Sequence, residues 1–309
     1  MSFLEIKDVS VRFGGEHSVG AVEHLSLNLR EGSKTALIGE SGSGKSVLLL
    51  AMLRLLPKSA EISGQVLFQG EDLLEKTESE LEKIRGGKIA YIPQGSGNGM
   101  NPLLKVGFQV AEPLMDHRGY GKRQLMGESV RLLKRFHLGQ EDKRVKEYPH
   151  TFSGGMRQRA MVAMGVSAGA RLLLADEPTK GLDYSRIQRV ADCFQNLREE
   201  TLLCVTHDIN FARQVGEHIT VMYAAQQLEE AGRDEFFSSP LHPYSKAILA
   251  AMPENGLKSS VGFAPPHDAY QGAGCRFADR CPFRSGRCSE TPPMVEKHQH
   301  KVRCWMYAD

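Results

Sequence analysis

The segment Gly39-Glu-Ser-Gly-Ser-Gly44-Lys45-Ser46 constrains this chain more than any other stretch. It matches G-x-x-x-x-G-K-[ST] and lies between two apolar runs, Lys34–Ile38 and Val47–Leu56. A buried strand that enters a glycine-rich turn and leaves as a helix is the context in which such a loop holds phosphate. Gly39, Gly42 and Gly44, with Ser41 and Ser43 between them, let backbone N–H groups and a helix N-terminus face an anion. Lys45 then reaches the β- and γ-phosphates, and the Ser46 hydroxyl binds Mg²⁺. A nucleoside-triphosphate site is implied. The competing reading, a glycine-rich turn that happens to precede a helix, does not account for the flanking pattern.

The rest of the chain supplies the sheet such a loop needs. Residues 3–30 hold two alternating runs (Leu4, Ile6, Val9, Val11; then Leu25, Leu27, Leu29) that predict paired edge strands. Further strands are predicted at Lys34–Ile38, Ile62–Gln69, Lys88–Pro93, Arg171–Asp176, Leu202–Thr206 and Ile219–Tyr223, with a helix over Val47–Leu56 stopped by Pro57. Strands that alternate with helices require a parallel sheet. Residues from about 100 to 165 lack strand signals and show helical patterns at Gln124–Leu138 and Met156–Ser167, so a helical subdomain is expected there. The division expected is an ATPase domain over 1–252 with that insert, then a C-terminal extension over 253–309, where four of the six cysteines gather.

Charge excludes one class of partner. With 39 basic against 37 acidic side chains the net charge is +2, too weak a field to imply nucleic acid. Apolar runs such as Leu172–Ala175 fall short of the roughly 18 residues a membrane span needs. Met1–Asp8 carries acidic groups where a signal peptide would be apolar. The expectation is a chain that folds in the cytoplasm and meets a membrane only through partners.

Leu172-Leu-Leu-Ala-Asp176-Glu177 ends an apolar run in two carboxylates, as expected where a buried parallel strand emerges beside a ligand crevice. Asp176 would hold the Mg²⁺ shell and Glu177 would polarise the attacking water, since phosphoryl transfer needs an oriented nucleophile and neutralised oxygens.

Between these motifs, Phe152-Ser153-Gly154-Gly155-Met156-Arg157-Gln158-Arg159 resembles the signature loop of the ABC (ATP-binding cassette) ATPases. The resemblance implies that Ser153, Gly154 and Gly155 contact the γ-phosphate bound by a second ATPase subunit. Capping of a helix by Ser153 alone would also suit these residues. Gln94 after Ile89–Pro93 is similar to the family's Q-loop and is implied to join Ser46 at Mg²⁺. His207 after Leu203–Thr206 is similar to its switch histidine, Gly181-Leu182-Asp183 to its D-loop, and Phe13 to the aromatic that stacks on adenine. The fold implied is a P-loop NTPase core of the ABC type, α/β, with an inserted helical subdomain, an antiparallel β edge and a cysteine-rich tail. The activity implied is ATP hydrolysis coupled to transport.

Two stretches narrow the resemblance to importers of dipeptides, oligopeptides and nickel. One is Gly95–Pro102 with Val106-Gly107; the other is Pro240-Leu-His242-Pro243-Tyr244 with Gly274-Cys275-Arg-Phe-Ala-Asp-Arg280-Cys281-Pro282. Ala225 in Tyr223-Ala-Ala-Gln226 stands where that family usually has glycine, at what is expected to be the far edge of the sheet. The partners implied are a second ATPase subunit of a different sequence, two transmembrane permease subunits and an extracytoplasmic solute-binding protein. The segment of about 95–118 is expected to dock the permeases. The place implied is the cytoplasmic face of a membrane, as a peripheral protein. An ATPase for nickel or metal chelates, and a soluble ABC protein without transport, are the other readings.

Cys275, Cys281, Cys288 and Cys304 cluster in the tail, whereas Cys193 and Cys204 read as core thiols. In a reducing compartment four such thiols point to metal before disulfides. The loose gaps suit a [4Fe–4S] cluster better than zinc, which prefers tighter C-x₂₋₄-C pairs. Zinc, or no metal at all, remains an alternative.

Overall fold

The computed structural model describes residues 2–14, 18–95, 99–265 and 273–308. The chain divides into two units, one formed by Met1–Arg30, Thr35–Leu74 and His207–Asp309 and the other by Glu31–Lys34 and Glu75–Thr206.

In the first unit the N-terminal alternating runs become β1 (Leu4–Phe13) and β2 (Val19–Leu29), paired antiparallel with Leu4 opposite Leu29 and Phe13 opposite Val19. On its other side β1 pairs antiparallel with β4 (Ala60–Phe68), and β4 pairs with the short β5 (Glu71–Asp72). The second half of β2, Leu25–Leu29, alternates buried and exposed positions, the pattern of a strand with one wetted face. β3 (Lys34–Ile38) runs parallel to β9 (His218–Tyr223), and β9 turns back through Ala224-Ala225 into β10 (Gln226–Gly232). β10 meets β2 in parallel at Gln226 and Glu23. A hairpin of β11 (Met294–Lys297) and β12 (His300–Arg303) adds to β10, with Glu229 opposite Val302. The C-terminal residues thus extend the sheet of the phosphate loop.

Helix α1 (Lys45–Met52) is shorter than the apolar run suggests. It closes at Leu53, and Arg54 adopts a left-handed backbone (φ 50°) before Pro57 is reached. Further on come α8 (Ile209–Val215), capped by Asp208, α9 (Arg233–Ser238) and α10 (Pro243–Ala250). His242 caps α10 through its Nδ1, which accepts from the Tyr244 N–H at 3.0 Å, and Pro243 fills the first helical position, where no donor is needed. Ile38, Val221, Tyr223, Phe236, Tyr244 and Phe277 share one core, so an aromatic of the extension packs among residues of β3 and β9.

In the second unit β6 (Ile89–Ile92), β7 (Leu172–Asp176) and β8 (Thr201–Thr206) form a parallel set, with Ile92 opposite Ala175 and Asp176 opposite Val205. β7 and β8 are buried at every position, as continuous apolar runs in a parallel sheet should be. The helices are α2 (Glu78–Ile84), α3 (Val106–Arg118), α4 (Lys122–Arg135), α5 (Glu141–Arg144), α6 (Gly154–Ser167) and α7 (Tyr184–Gln195). The sequence window of about 100–165 therefore holds α3 to α6. No described helix is long and apolar enough to cross a membrane.

Candidate functional site

In the first unit the phosphate loop leaves the C-terminal end of β3, and two of its glycines are sterically required. A Cβ at Gly39 would stand 2.1 Å from the carbonyl oxygen of Met222, and one at Gly44 would stand 1.9 Å from that of Ala21. Gly44 also serves as N-cap of α1 without offering a side-chain oxygen, so the positive end of the helix dipole opens onto the loop. Lys45 is buried, and its Nζ donates to the carbonyls of Gly39 at 2.9 Å and Glu40 at 2.8 Å and to Ser43 Oγ at 3.3 Å. Its ammonium is therefore held over the loop it terminates, where it can meet phosphate oxygens.

The loop is braced from outside. The Glu40 N–H donates to Tyr244 Oη at 3.0 Å, and Arg280 Nη1 donates to both Glu40 carboxylate oxygens at 3.0 and 3.1 Å. The Ala225 N–H donates to the Ser43 carbonyl at 3.2 Å. This corrects one expectation: the Ala224-Ala225 turn abuts the phosphate loop instead of lying at the far edge, because β9 and β10 sit between β3 and β2. His207 and Asp208 share with Gly39, Glu40 and Tyr244 a cavity of about 360 Å³. Phe13 closes β1 opposite Val19 and Ala60 and is half-buried.

In the second unit Gln94 follows β6 and is exposed, while Asp176 ends the adjacent strand β7 and is buried. Tyr91 Oη donates to Asp176 Oδ2 at 3.0 Å, and burial together with that carboxylate raises the Tyr91 phenol well above its usual range. Glu177, also buried, has φ 45°, unusual for a residue with a side chain; its N–H donates to the Val205 carbonyl at 2.8 Å. Strain of this kind gathers where a side chain must be aimed. Ser153 caps α6, accepting from the Met156 N–H at 3.4 Å, and Gly155 lies where a Cβ would meet Arg186 at 3.4 Å. Asp183 caps α7, and hydrogen bonds from Ser185 and the Arg186 N–H hold its carboxyl below the ordinary range. Gly181 takes φ 76°, which explains glycine there.

Of the segment of about 95–118, residues 96–98 lie outside the described residues. Asn101 Oδ1 accepts from the Leu103 N–H at 3.0 Å, and Gln109 bonds the backbone of Asn101 and Leu104. That turn holds Leu103 82% exposed, an apolar side chain presented outward.

Cys275, Cys281, Cys288 and Cys304 line one cavity of about 140 Å³ with His242 and Trp305. All six cysteines are free thiols, and Cys193 and Cys204 are buried. Burial pushes the Cys275 thiol up to about 11, so thiolate there calls for a cationic partner. Buried His242 has no partner of normal geometry at Nε2, although the Arg303 carbonyl lies toward it. Among the described residues no three His, Cys, Asp or Glu side chains converge closely enough for a single metal ion.

Tyr91, Gln109, Tyr244 and Arg280 were not singled out by sequence as site residues. Their roles depend on partners distant in sequence, and only the Pro-Leu-His-Pro-Tyr and Cys-Arg-Phe segments drew attention to two of them.

Comparison with known proteins decides the family. A family model described as "ABC transporter" matches residues 22–180, and one described as "Oligopeptide/dipeptide transporter, C-terminal region" matches residues 228–288. The chain belongs to the ABC transporter family. This ABC ATPase is 35% identical to the oligopeptide transport ATP-binding protein OppD of Haemophilus influenzae over 99% of its own length and 98% of the relative's. It is 36% identical to OppD of Escherichia coli over 98% and 92% of the two chains. It is 34% identical to the probable peptide ABC transporter ATP-binding protein y4tR of Sinorhizobium fredii over 98% and 94%. Among solved structures it matches the dimeric post-hydrolysis state of the ATP-binding cassette MJ0796 bound to ADP and Pi, at TM-score 0.66 and 29% identity, over 74% of this chain and 98% of that one.

Proposed function

We propose that this ABC ATPase binds Mg-ATP in a pair of cassettes and hydrolyses it to power uptake of di- and oligopeptides through two permease subunits, fed by an extracytoplasmic binding protein, at the cytoplasmic face of a membrane. The observation that carries the nucleotide reading is the phosphate loop: two sterically obligatory glycines, a helix N-terminus, and Lys45 fixed by three loop oxygens. Lys45 neutralises the β- and γ-phosphates, and Ser46, Gln94 and Asp176 serve Mg²⁺. Glu177 orients the attacking water and His207 assists beside the γ-phosphate. Phe13 stacks on adenine, Asp183 belongs to the loop that signals between cassettes, and Ser153-Gly154-Gly155 face the partner's nucleotide. The peptide class is supported by the names of the relatives and by the C-terminal family match. The exposed Leu103 turn supports a docking surface for the permeases.

The four cysteines we assign to a [4Fe–4S] cluster, supported by the cavity they share and by their gaps of five, six and fifteen residues in the sequence. The four thiolates would hold it, and its contribution would be to cross-link the extension.

The test is peptide uptake and ATP turnover in vesicles carrying the full transporter. Lys45→Ala should abolish both; a mixed dimer with Gly154→Asp on this chain alone should silence the partner's nucleotide site. Turnover without any dependence on loaded binding protein would refute the importer reading.

A further inference from the structure

Glu40 places a carboxylate inside the loop that has to accept a triphosphate. That is electrostatically adverse, because a like charge beside an anion site weakens binding. Glu40 is 36% exposed, so solvent alone screens it only in part. The structure supplies a counter-charge from the far end of the chain. Arg280 Nη1 contacts both Glu40 oxygens, and its side chain is only 8% exposed. The guanidinium is fixed on three further sides: Nη1 also reaches Tyr223 Oη at 3.2 Å, Nη2 donates to Ser260 Oγ at 2.7 Å, and the group lies 5.5 Å from the ring centres of Tyr223 and Phe277. Those rings in turn pack on Tyr244, whose hydroxyl accepts from the Glu40 N–H. Side chain and backbone of Glu40 are thus both held by groups of the C-terminal region, the carboxylate by Arg280 and the N–H by Tyr244.

We infer that Arg280 is a positioning residue for nucleotide binding: it neutralises and anchors the Glu40 carboxylate, so that the C-terminal extension sets the affinity of the phosphate loop for Mg-ATP. The inference rests on the nucleotide-site reading given above. A guanidinium already held by Tyr223 Oη, Ser260 Oγ and two rings loses little side-chain freedom when it pairs with Glu40. The pair is therefore fixed and locally neutral, and the loop meets phosphate with the adjacent carboxylate already compensated.

Mg-ATP binding to the purified full chain tests it, read as Kd at low and high salt, with the melting temperature and cysteine-site metal content followed alongside. Arg280→Ala should raise Kd roughly three- to ten-fold at low salt, with the shift shrinking as salt screens the exposed carboxylate. In the Glu40→Gln background the same substitution should move Kd by less than about two-fold, because the charge it answers is gone. Glu40→Gln alone leaves Arg280 unopposed beside the triphosphate and should tighten binding. A role confined to packing would give an equal shift in both backgrounds and no salt dependence, and that result overturns the inference. Where Arg280→Ala does not fold, Glu40→Gln still decides: weaker binding in a variant that melts as the wild type does overturns it. Lys45→Ala separates the two levels. If Lys45→Ala retains Mg-ATP affinity, the nucleotide-site reading fails; if it loses affinity while folded Arg280→Ala keeps it, only the role of Arg280 fails.

Discussion

The carboxylate of Glu229 on β10 and the imidazole of His300 on β12 meet at 2.8 Å, with the two side chains 0% and 3% exposed. The same carboxylate accepts from the Leu241 N–H at 2.8 Å and from the His242 N–H at 2.9 Å. One buried group therefore ties the sheet to the His-Pro-Tyr segment and to the terminal hairpin. Glu229→Ala should destabilise the first unit by about 3 to 5 kcal/mol, because it strands two amides and an imidazole without an acceptor. Urea unfolding measures it, and a loss below about 1 kcal/mol would remove Glu229 from this role.

His242 makes stability depend on pH. Burial lowers its pKa from the ordinary 6.5 to about 3, with the Lys246 charge adding a little. The native state keeps the ring neutral while the unfolded chain takes up a proton, so this contribution is complete above about pH 6.5. It is lost at up to about 1.4 kcal/mol per pH unit as pH falls toward 3. His242→Asn retains an N-cap acceptor, and its unfolding free energy should fall less steeply than wild type between pH 6.5 and 5. Parallel slopes for the two proteins would count against a neutral buried ring.

Ala224 and Ala225 take φ 48° and 67°, the two left-handed positions of a tight hairpin turn. Ala225→Gly should therefore raise stability by about 0.5 to 1 kcal/mol, since relief of a strained backbone outweighs the added freedom of the unfolded chain. Thermal melting decides this, and a lowered melting temperature would contradict the strain.

Glu177→Gln should keep Mg-ATP bound and slow turnover by two or more orders of magnitude, because the carboxylate orients water and is not needed to hold phosphate. Single-turnover hydrolysis with the binding constant measured in parallel separates the two effects. Near wild-type turnover would transfer the water-orienting role to another group.

Protein purified without oxygen should contain about four irons and four sulfides per chain and absorb broadly in the blue, and Cys281→Ser should lose them. About one zinc in a colourless sample would favour the alternative ion. Cys281 adjoins Arg280, so the variant should also weaken Mg-ATP binding to the extent that the Glu40 contact loosens, contrary to the independence that a separate tail would imply.

The phosphate loop was legible in the sequence because its demands fall on adjacent residues: obligatory glycines, then Lys45 and Ser46, between two apolar runs. Strand β7 was legible for a similar reason, its burial written as an uninterrupted apolar run into Asp176. Strand order was not legible, and position 225 was misplaced as a result, since local periodicity does not say that β10 lies beside β2. The length of α1 was overread because apolar residues beyond Met52 serve a turn set by the backbone of Arg54. The Arg280–Glu40 pair joins opposite ends of the chain, and no pattern of neighbours could have announced it.

The parallel pairing of Thr35 with His218 bears on how the chain emerges from the ribosome. Strand β3 and its loop are made early, whereas Met222 and Ala225, whose backbone the loop packs against and bonds, are made late. Contacts of such long span close slowly. The stretch of 75–206, apart from four earlier residues, forms the second unit and is synthesised in between. A nascent chain that ends before β9 therefore carries the whole phosphate-binding motif in its sequence and lacks the backbone that shapes it.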